Sequence, residues 1–147
     1  MIFAILLGIT TVSATVLVHA AGTTWWLRHL RNLPHRGHGQ HKTALRVLVE
    51  TALFLIALHV VEVLIWATAY AVVKPAGLAS LEDAVYFSFT TFTTLGYGDV
   101  VIRDHWKLLT GIESLNGVLL IGWSTALLFA VIEGVWEGIG DSPADLD

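Results

Sequence analysis

Three long runs of apolar residues dominate the sequence, at about residues 2–21, 45–73 and 108–132. Each run is broken only by isolated polar residues and is long enough to cross a bilayer core of about 30 Å, which requires about 20 apolar helical residues. Hydrophobic residues make up 55% of the 147-residue chain and charged residues only 14%, which is too apolar for an ordinary soluble domain. We therefore predict an all-α membrane protein with three transmembrane helices.

The composition and motifs exclude several classes of function. Without cysteine, the chain has no disulfide, thiolate metal site or cysteine nucleophile. An HExxH motif, paired catalytic carboxylates and a basic patch interleaved with aromatic residues are also missing. We therefore expect no enzyme activity, no organic cofactor, no nucleic acid partner and no soluble substrate, with membrane lipid as the surroundings.

The distribution of basic residues predicts the orientation. Five of the eight Lys and Arg residues lie in residues 28–46, between the first two apolar runs. The positive-inside rule places this stretch in the cytoplasm, which puts the N-terminus outside the cell (inner) membrane and the C-terminus inside. A cleaved signal peptide is the competing interpretation of residues 1–21, because small residues flank His19. That stretch lacks a positive N-terminal region, and its removal would reverse the orientation, so retention is the consistent choice.

The first run also carries small residues at helical spacing. Ala4, Gly8, Thr11 and Thr15 fall on one face of the predicted helix. Small residues let helix backbones approach closely in membranes. We expect this face to pack against another helix rather than against lipid.

A fourth, aromatic-rich segment at residues 80–93 is too short to span a membrane. Ser80 and Asp83 have the spacing of a capping box, so the segment predicts a helix with Ser80 as N-cap that ends near Thr93. The C-terminal end of a helix carries a partial negative charge. Pointing into the membrane, this end would favour a cation.

The residues that follow this helix, Thr-Leu-Gly-Tyr-Gly at 94–98, have the pattern of a backbone ion site. Irregular backbone at membrane depth is tolerated only where it is buried in protein or lines a water-filled path. Gly96 and Gly98 can adopt φ values closed to other residues, which lets successive carbonyls face one side while Leu95 and Tyr97 pack outward. Closely placed carbonyl oxygens replace the water of a small cation, and the Thr94 hydroxyl would add one more oxygen.

The sequence Thr-Thr-Leu-Gly-Tyr-Gly-Asp at 93–99, between an aromatic pore helix and an apolar span, resembles the pore module of potassium channels. The resemblance covers about residues 45–132 and is to simple prokaryotic two-helix channels and single halves of two-pore-domain channels, with an added first span. It implies a K⁺ selectivity filter whose ligands are the carbonyls of Thr94, Leu95, Gly96 and Tyr97, with Gly98 completing it. It also implies that Thr90, Thr93, Asp99 and Glu113 support the filter, with Asp99 forming a hydrogen bond behind it. Leu95 stands where the family usually has Val or Ile, a mild departure because this residue contributes its carbonyl.

The resemblance sets the expected assembly and divisions of the chain. A pore of this family needs four filter loops and the chain has one, which predicts a homotetramer with cyclic symmetry. The expected segments are an extra N-terminal helix at 1–27, a basic cytoplasmic loop at 28–44, the pore module at 45–133 and a short acidic cytoplasmic tail at 134–147.

No apolar run contains the ladder of Arg or Lys that a voltage sensor needs, so gating would lie in the filter, helices or loops, or the pore is a constitutive leak. Gly117 is either a hinge in the last helix or a point of close helix approach. Candidates for lining the cavity below the filter are Asn116, Leu120 and Trp123. Glu133 and Glu137 either ring the cytoplasmic mouth or are simply solvated.

Ionisable residues within the spans allow two interpretations. His59, Glu62 and Glu113 either hydrogen-bond between helices and fix packing, or they regulate the pore. In the second case Glu113 reaches behind the pore helix toward Thr90 or Thr91, while His59 and Glu62 respond to pH. Three loop histidines, His35, His38 and His41, similarly either bind metal or protons or are merely solvated.

Two functions remain as alternatives to a potassium channel. One is a cation channel of poor selectivity, in which the filter backbone has fewer ordered sites. The other, of a different class, is an accessory membrane subunit or small membrane enzyme that uses the apolar runs as anchors.

Overall fold

The computed structural model describes residues 2–32, 40–103 and 105–140, with side chains described except at 40–43 and 137–140. These residues form four helices: α1 (Ile2–Arg31), α2 (Gln40–Val73), α3 (Leu81–Phe92) and α4 (Lys107–Gly140). Among the described residues there is no strand. Helices α1, α2 and α4 are long and apolar enough to cross a membrane, which confirms the predicted all-α fold with three spans and a shorter fourth helix.

The helices extend beyond their predicted bounds. Helix α1 continues to Arg31 and α2 already begins at Gln40, so much of the stretch predicted as a basic loop at 28–44 is helical. Arg, Lys and Gln have high helix propensity, and a helix of such residues can continue out of the apolar layer. His35 and His38 lie outside the described residues, as does the side chain of His41. The tail predicted from residue 134 is likewise helical up to Gly140.

Helix α1 packs on its own subunit along the predicted small-residue face. Its buried residues are Ala4, Gly8, Thr11, Thr15, His19, Thr23 and Trp26. A Cβ added to Gly8 would lie 2.8 Å from the Ile112 side chain of α4, so glycine permits a close approach there. The prediction that this face packs against another helix is confirmed, and the partners are α2 and α4.

Contacts at the two ends of the bundle fix the helix directions. The ring of Phe3, at the start of α1, lies 5.7 Å from the ring of Trp106, just before α4. At the other end the indole of Trp26 donates a hydrogen bond of 3.0 Å to Thr51 of α2. Helices α1 and α4 therefore run in the same direction and α2 runs opposite to both.

The subunit buries a core between its helices and leaves large apolar faces outside. The core around the short helix α3 includes Val63, Trp66, Tyr70, Phe87, Phe92 and Leu109. On α4, by contrast, Leu115, Val118, Leu119 and Phe129 are exposed. Contiguous apolar faces of this kind are suited to lipid or to other membrane-embedded chains.

Candidate functional site

The short helix α3 is positioned by the capping box that the sequence predicts. The Ser80 hydroxyl accepts a hydrogen bond from the Asp83 backbone N–H at 3.0 Å, and the Asp83 carboxylate accepts one from the Ser80 N–H, also at 3.0 Å. The helix ends at Phe92 with Thr93 as its C-cap. Both ends agree with the prediction, and the partly negative C-terminal end of α3 leads directly into residues 94–98.

The backbone after α3 alternates in the sign of φ. Thr94, Gly96 and Gly98 have φ values of 59°, 52° and 81°, whereas Leu95 and Tyr97 do not have positive φ. Residues of positive φ that alternate with residues of ordinary φ allow successive carbonyls to face one side of the chain. The two glycines were expected to adopt such values, but Thr94 was not, because its Cβ makes this conformation unfavourable by about 1–2 kcal/mol.

Backbone hydrogen bonds hold this segment against the end of α3. The Gly96 N–H donates to the Thr90 carbonyl at 3.0 Å, and the Thr94 N–H donates to the Thr91 carbonyl at 3.0 Å. The Thr93 hydroxyl donates to the Phe89 carbonyl at 2.7 Å. Thr90 thus contacts the segment through its backbone, since its hydroxyl donates to the Phe87 carbonyl within the helix.

Asp99, which closes the segment, is bound to α3 by a side-chain hydrogen bond. The Tyr86 hydroxyl donates to the Asp99 carboxylate at 2.7 Å. This donor stabilises the ionised form and lowers the pKa of the Asp99 carboxyl below its ordinary value. Asp99 therefore hydrogen-bonds behind the segment, as the resemblance implies, and its partner is Tyr86.

Glu113 of α4 lies behind α3, but with different partners from those predicted. Its carboxyl group accepts hydrogen bonds from the hydroxyls of Tyr70 at 2.7 Å and Ser88 at 2.5 Å, and all three side chains are buried. The prediction of Thr90 or Thr91 as its partner is wrong. Ser88 lies one turn earlier on the same face of α3 as Thr91, and sequence alone does not fix which turn faces Glu113.

Two of the three residues predicted to line a cavity point the other way. Asn116 and Leu120 are 3% and 0% exposed, so they face the interior of the subunit. The Asn116 side-chain carbonyl accepts hydrogen bonds from Thr15 at 2.8 Å and from the Trp66 indole at 2.9 Å. The prediction assigned the wrong face of α4 to the cavity, because a shift of one residue along a helix rotates the assigned face by about 100°. The exposed side of α4 at this level instead carries Val118, Ile121, Gly122 and Thr125.

Gly117 has a definite packing role. A Cβ added there would collide with the backbone carbonyl of Phe92, the last residue of α3. Glycine therefore lets α4 touch the end of the short helix just before residues 94–98. The hinge hypothesis for Gly117 remains a prediction.

Glu133 is exposed, as is required both for a ring at the cytoplasmic mouth and for a solvated residue. The side chain of Glu137 lies outside the described residues.

A second buried carboxyl group, Glu62, lies between two histidines. His19 of α1 contacts one Glu62 oxygen through Nδ1 at 2.7 Å, and His59 contacts the other oxygen through Nδ1 at 2.7 Å. The ring of Trp123, the third cavity candidate, lies 5.1 Å from the His19 ring. Sequence reasoning paired His59 with Glu62 but missed His19. The small-residue face Ala4, Gly8, Thr11 and Thr15 continues to His19 four residues later, and that spacing was the available signal.

Comparisons with known proteins agree with this architecture. The family model described as "Ion channel" matches residues 58–134, which include the C-terminal part of α2, all of α3 with residues 94–99, and most of α4. The uncharacterized membrane protein YdjJ of Bacillus subtilis (strain 168) is 41% identical over 58 residues, which cover 39% of this chain and 17% of that protein. This chain thus spans only a small part of the length of that relative. No solved structure matches the chain significantly. Since the family match covers just over half of the residues, this multi-pass membrane protein belongs to the ion channel family.

Proposed function

We propose that the chain is the subunit of a potassium-selective channel, with residues 94–98 as its filter. The observation that supports this proposal is that φ is positive at Thr94, Gly96 and Gly98 but not at Leu95 and Tyr97 between them. This alternation follows directly after the C-terminal end of α3. A K⁺ ion entering a narrow pore loses water that several oxygens must replace. Backbone carbonyls turned to one side supply such a column of oxygens, and the helix end behind them adds favourable potential for a cation.

Four copies around one axis would complete this filter. One loop offers oxygens from one side only, and a chain with a single loop surrounds an ion by repeating it with cyclic symmetry. The exposure of Leu95 and Tyr97, at 54% and 69% in the isolated subunit, supports this proposal because neighbouring copies would cover such large side chains. In this arrangement the N-terminus is outside, the C-terminus is cytoplasmic, and K⁺ is the permeant ion.

The test is the reversal potential of the purified full-length protein in a planar bilayer with opposed K⁺ and Na⁺ gradients. We expect a potential near the equilibrium value for K⁺. Gly96→Ala should abolish this selectivity, because alanine is unfavourable at the φ of Gly96 although nothing lies within 4 Å of the added Cβ in the subunit.

Gly111→Ala is the matched control for this variant. Gly111 lies in α4, has an ordinary helical φ and also has nothing within 4 Å of an added Cβ. Its variant should therefore retain K⁺ selectivity. A robust current that reverses near zero in the unmodified protein would contradict the proposal and favour a cation channel of poor selectivity. A correctly folded protein that carries no current under any tested potential or pH would favour an accessory subunit.

A further inference from the structure

The cluster of His19, His59 and Glu62 has the composition of a metal site. One ligand atom from each residue lies within 4.8 Å of the other two. Two histidines and one glutamate form one of the common ligand sets of protein-bound Zn²⁺, in which the fourth position of a tetrahedron is open to water or another ligand. The three residues come from two neighbouring helices: His19 lies on α1, and His59 and Glu62 lie on α2.

The negative charge of the buried Glu62 carboxylate needs a compensating positive charge. Glu62 and His19 are completely buried, and the described residues contain no Lys or Arg within ion-pair distance of Glu62. A carboxylate buried in a membrane protein is costly unless a positive charge compensates it. A divalent cation bound between the carboxylate and the two imidazoles supplies that charge without any basic residue.

A second observation concerns the imidazole of His19. Its Nδ1 faces Glu62, whereas its Nε2 is buried without a hydrogen-bond partner. Buried polar atoms nearly always have a partner, so an orphaned ring nitrogen marks a side chain held in place for another reason. A neutral imidazole binds metals through either ring nitrogen, so the unpartnered Nε2 of His19 is also available as a ligand.

The geometry requires only a small adjustment to accept a metal ion. Each histidine Nδ1 is 2.7 Å from a Glu62 oxygen. Ligand atoms bound to Zn²⁺ at about 2.1 Å in a tetrahedron lie about 3.4 Å apart, so a bound ion would replace both direct hydrogen bonds and widen each of these N–O distances by about 0.7 Å. His59 is able to make this movement because its side chain is 20% exposed, whereas the other two are fixed by packing.

We propose that His19, His59 and Glu62 bind a divalent transition-metal cation, with Zn²⁺ as the best match to the ligand set. The bound ion would join α1 to α2 at a point close to the filter. The His59 ring lies 5.9 Å from the ring of Phe92, the residue at which α3 ends. Any effect of the metal on ion flow rests on the proposed function, but the binding itself does not.

The binding experiment must remove three other histidines that are close in sequence, His35, His38 and His41, as a competing site. We would use untagged full-length protein that carries His35→Ala, His38→Ala and His41→Ala as the reference. Equilibrium dialysis against micromolar Zn²⁺, followed by elemental analysis, should give one ion per subunit. Co²⁺ in place of Zn²⁺ should give the intense visible absorption bands of a tetrahedral site.

In the reference protein, His59→Ala, His19→Ala and Glu62→Gln should each weaken Zn²⁺ binding by more than about 100-fold, since each removes a direct ligand and not merely an outer contact. Glu62→Gln and His59→Ala are the informative variants if His19→Ala does not fold, because glutamine keeps the hydrogen bonds and His59 is partly exposed. His29→Ala and His105→Ala are matched controls on exposed histidines and should bind as the reference does.

Two results would overturn the proposal. One is a folded reference protein that binds no Zn²⁺ and shows no tetrahedral Co²⁺ bands at micromolar metal. The other is one bound ion per subunit whose affinity is unchanged in Glu62→Gln and His59→Ala. In either case the cluster is a hydrogen-bond network that fixes the packing of α1. Because this experiment measures no current, it separates failure of the metal site from failure of the channel.

Discussion

Glu62 and Glu113 are both completely buried carboxyl groups that join helices, but they have different surroundings. Glu113 joins α4 to α2 and α3 through the hydroxyls of Tyr70 and Ser88. Glu62 joins α2 to α1 through the imidazole of His19 and also contacts His59 on its own helix. Hydroxyls donate hydrogen bonds but rarely bind transition metals, whereas imidazoles do both.

The comparison indicates two different roles along one bundle. On α2, Glu62 and Tyr70, the partner of Glu113, are eight residues or about two turns apart, and Asn116, Trp66 and Thr15 are hydrogen-bonded between the two levels. The Glu113 carboxyl is bound by neutral hydroxyl donors and holds the short helix α3, which precedes the proposed filter. The level of Glu62 holds the added helix α1 and offers ligands to a cation.

The largest effect should follow from replacing Glu113 with an apolar residue of similar size. Glu113→Leu leaves the buried Tyr70 hydroxyl without its acceptor, whereas the Ser88 hydroxyl keeps a second acceptor, the Val63 carbonyl at 3.0 Å. An unpaired buried hydroxyl costs about 1–3 kcal/mol and loss of the Ser88 hydrogen bond about 1 kcal/mol more, so the free energy of unfolding should fall by about 2–4 kcal/mol. Glu62→Leu should cost less than this, because the His59 side chain is 20% exposed and only that of His19 is left completely buried without its partner.

Denaturant unfolding of the purified protein in detergent would measure this difference. Glu133→Leu, on an exposed position of α4, is the control and should change stability by less than about 0.5 kcal/mol. A larger loss for Glu62→Leu than for Glu113→Leu would contradict the idea that the hydroxyl-bound level is the structural one.

The next effect concerns Gly117, which follows Glu113 by one turn on the face toward α3. Gly117→Ala drives a methyl group into the Phe92 backbone carbonyl and should cost about 1–3 kcal/mol. It should also alter open probability or selectivity, since Phe92 directly precedes the filter. Single-channel recording together with unfolding would measure both.

Gly122→Ala provides the matched comparison for this variant. Gly122 lies in the same helix with nothing within 4 Å of an added Cβ, so its variant should be nearly neutral. A Gly117→Ala protein with unchanged stability but altered open probability would favour the hinge hypothesis over the packing role.

Much of this architecture was predictable because it depends on local sequence. The length of the apolar runs predicts three spans, and the Ser80 and Asp83 capping box predicts the start of α3. The small-residue face of α1 likewise predicts a packed helix. Each of these signals is contained within a few turns of one segment.

Contacts between distant segments were not predictable in the same way. Glu113 meets Ser88 rather than Thr91, and Asn116 meets Thr15 and Trp66 rather than a cavity, because the rotation of each helix is set by its neighbours. His19 was missed for the same reason, since only the packing of α1 on α2 brings it to Glu62. The positive φ of Thr94 occurs where backbone hydrogen bonds from Thr94 and Gly96 hold residues 94–98 to α3, and the local sequence does not predict these bonds.

Asn116, between the two carboxyl levels, provides a smaller and more selective test. Asn116→Leu removes the acceptor of the Thr15 hydroxyl and the Trp66 indole, and should lower the free energy of unfolding by about 1–2 kcal/mol. Thr15 keeps a second acceptor, the Val12 carbonyl at 2.9 Å, which limits the loss. Single-channel conductance should be unchanged, because Asn116 faces the interior of the subunit. A marked change of conductance would restore Asn116 as a cavity residue.

The smallest effect is expected outside the buried levels, where Tyr86 binds Asp99. Both side chains are solvent-accessible in the subunit, so Tyr86→Phe should hardly change stability near neutral pH. The hydrogen bond lowers the pKa of Asp99, so its stabilising effect is present above the ordinary carboxyl pKa and is lost as pH falls through the lowered value. Phenylalanine removes the donor and raises that pKa toward about 3.9, the value for an unperturbed Asp. The acid loss of current should therefore begin at a higher external pH in Tyr86→Phe than in the unmodified protein. Current recorded while the pH on the outer side is lowered in steps measures the pH at which half of the current is lost. Tyr97→Phe is the control, because it removes a nearby phenol that has no such bond to Asp99.

If this midpoint is the same in Tyr86→Phe as in the unmodified protein, the Asp99 hydrogen bond does not maintain the conducting state of the proposed filter. The backbone bonds from Gly96 and Thr94 to α3 would then suffice.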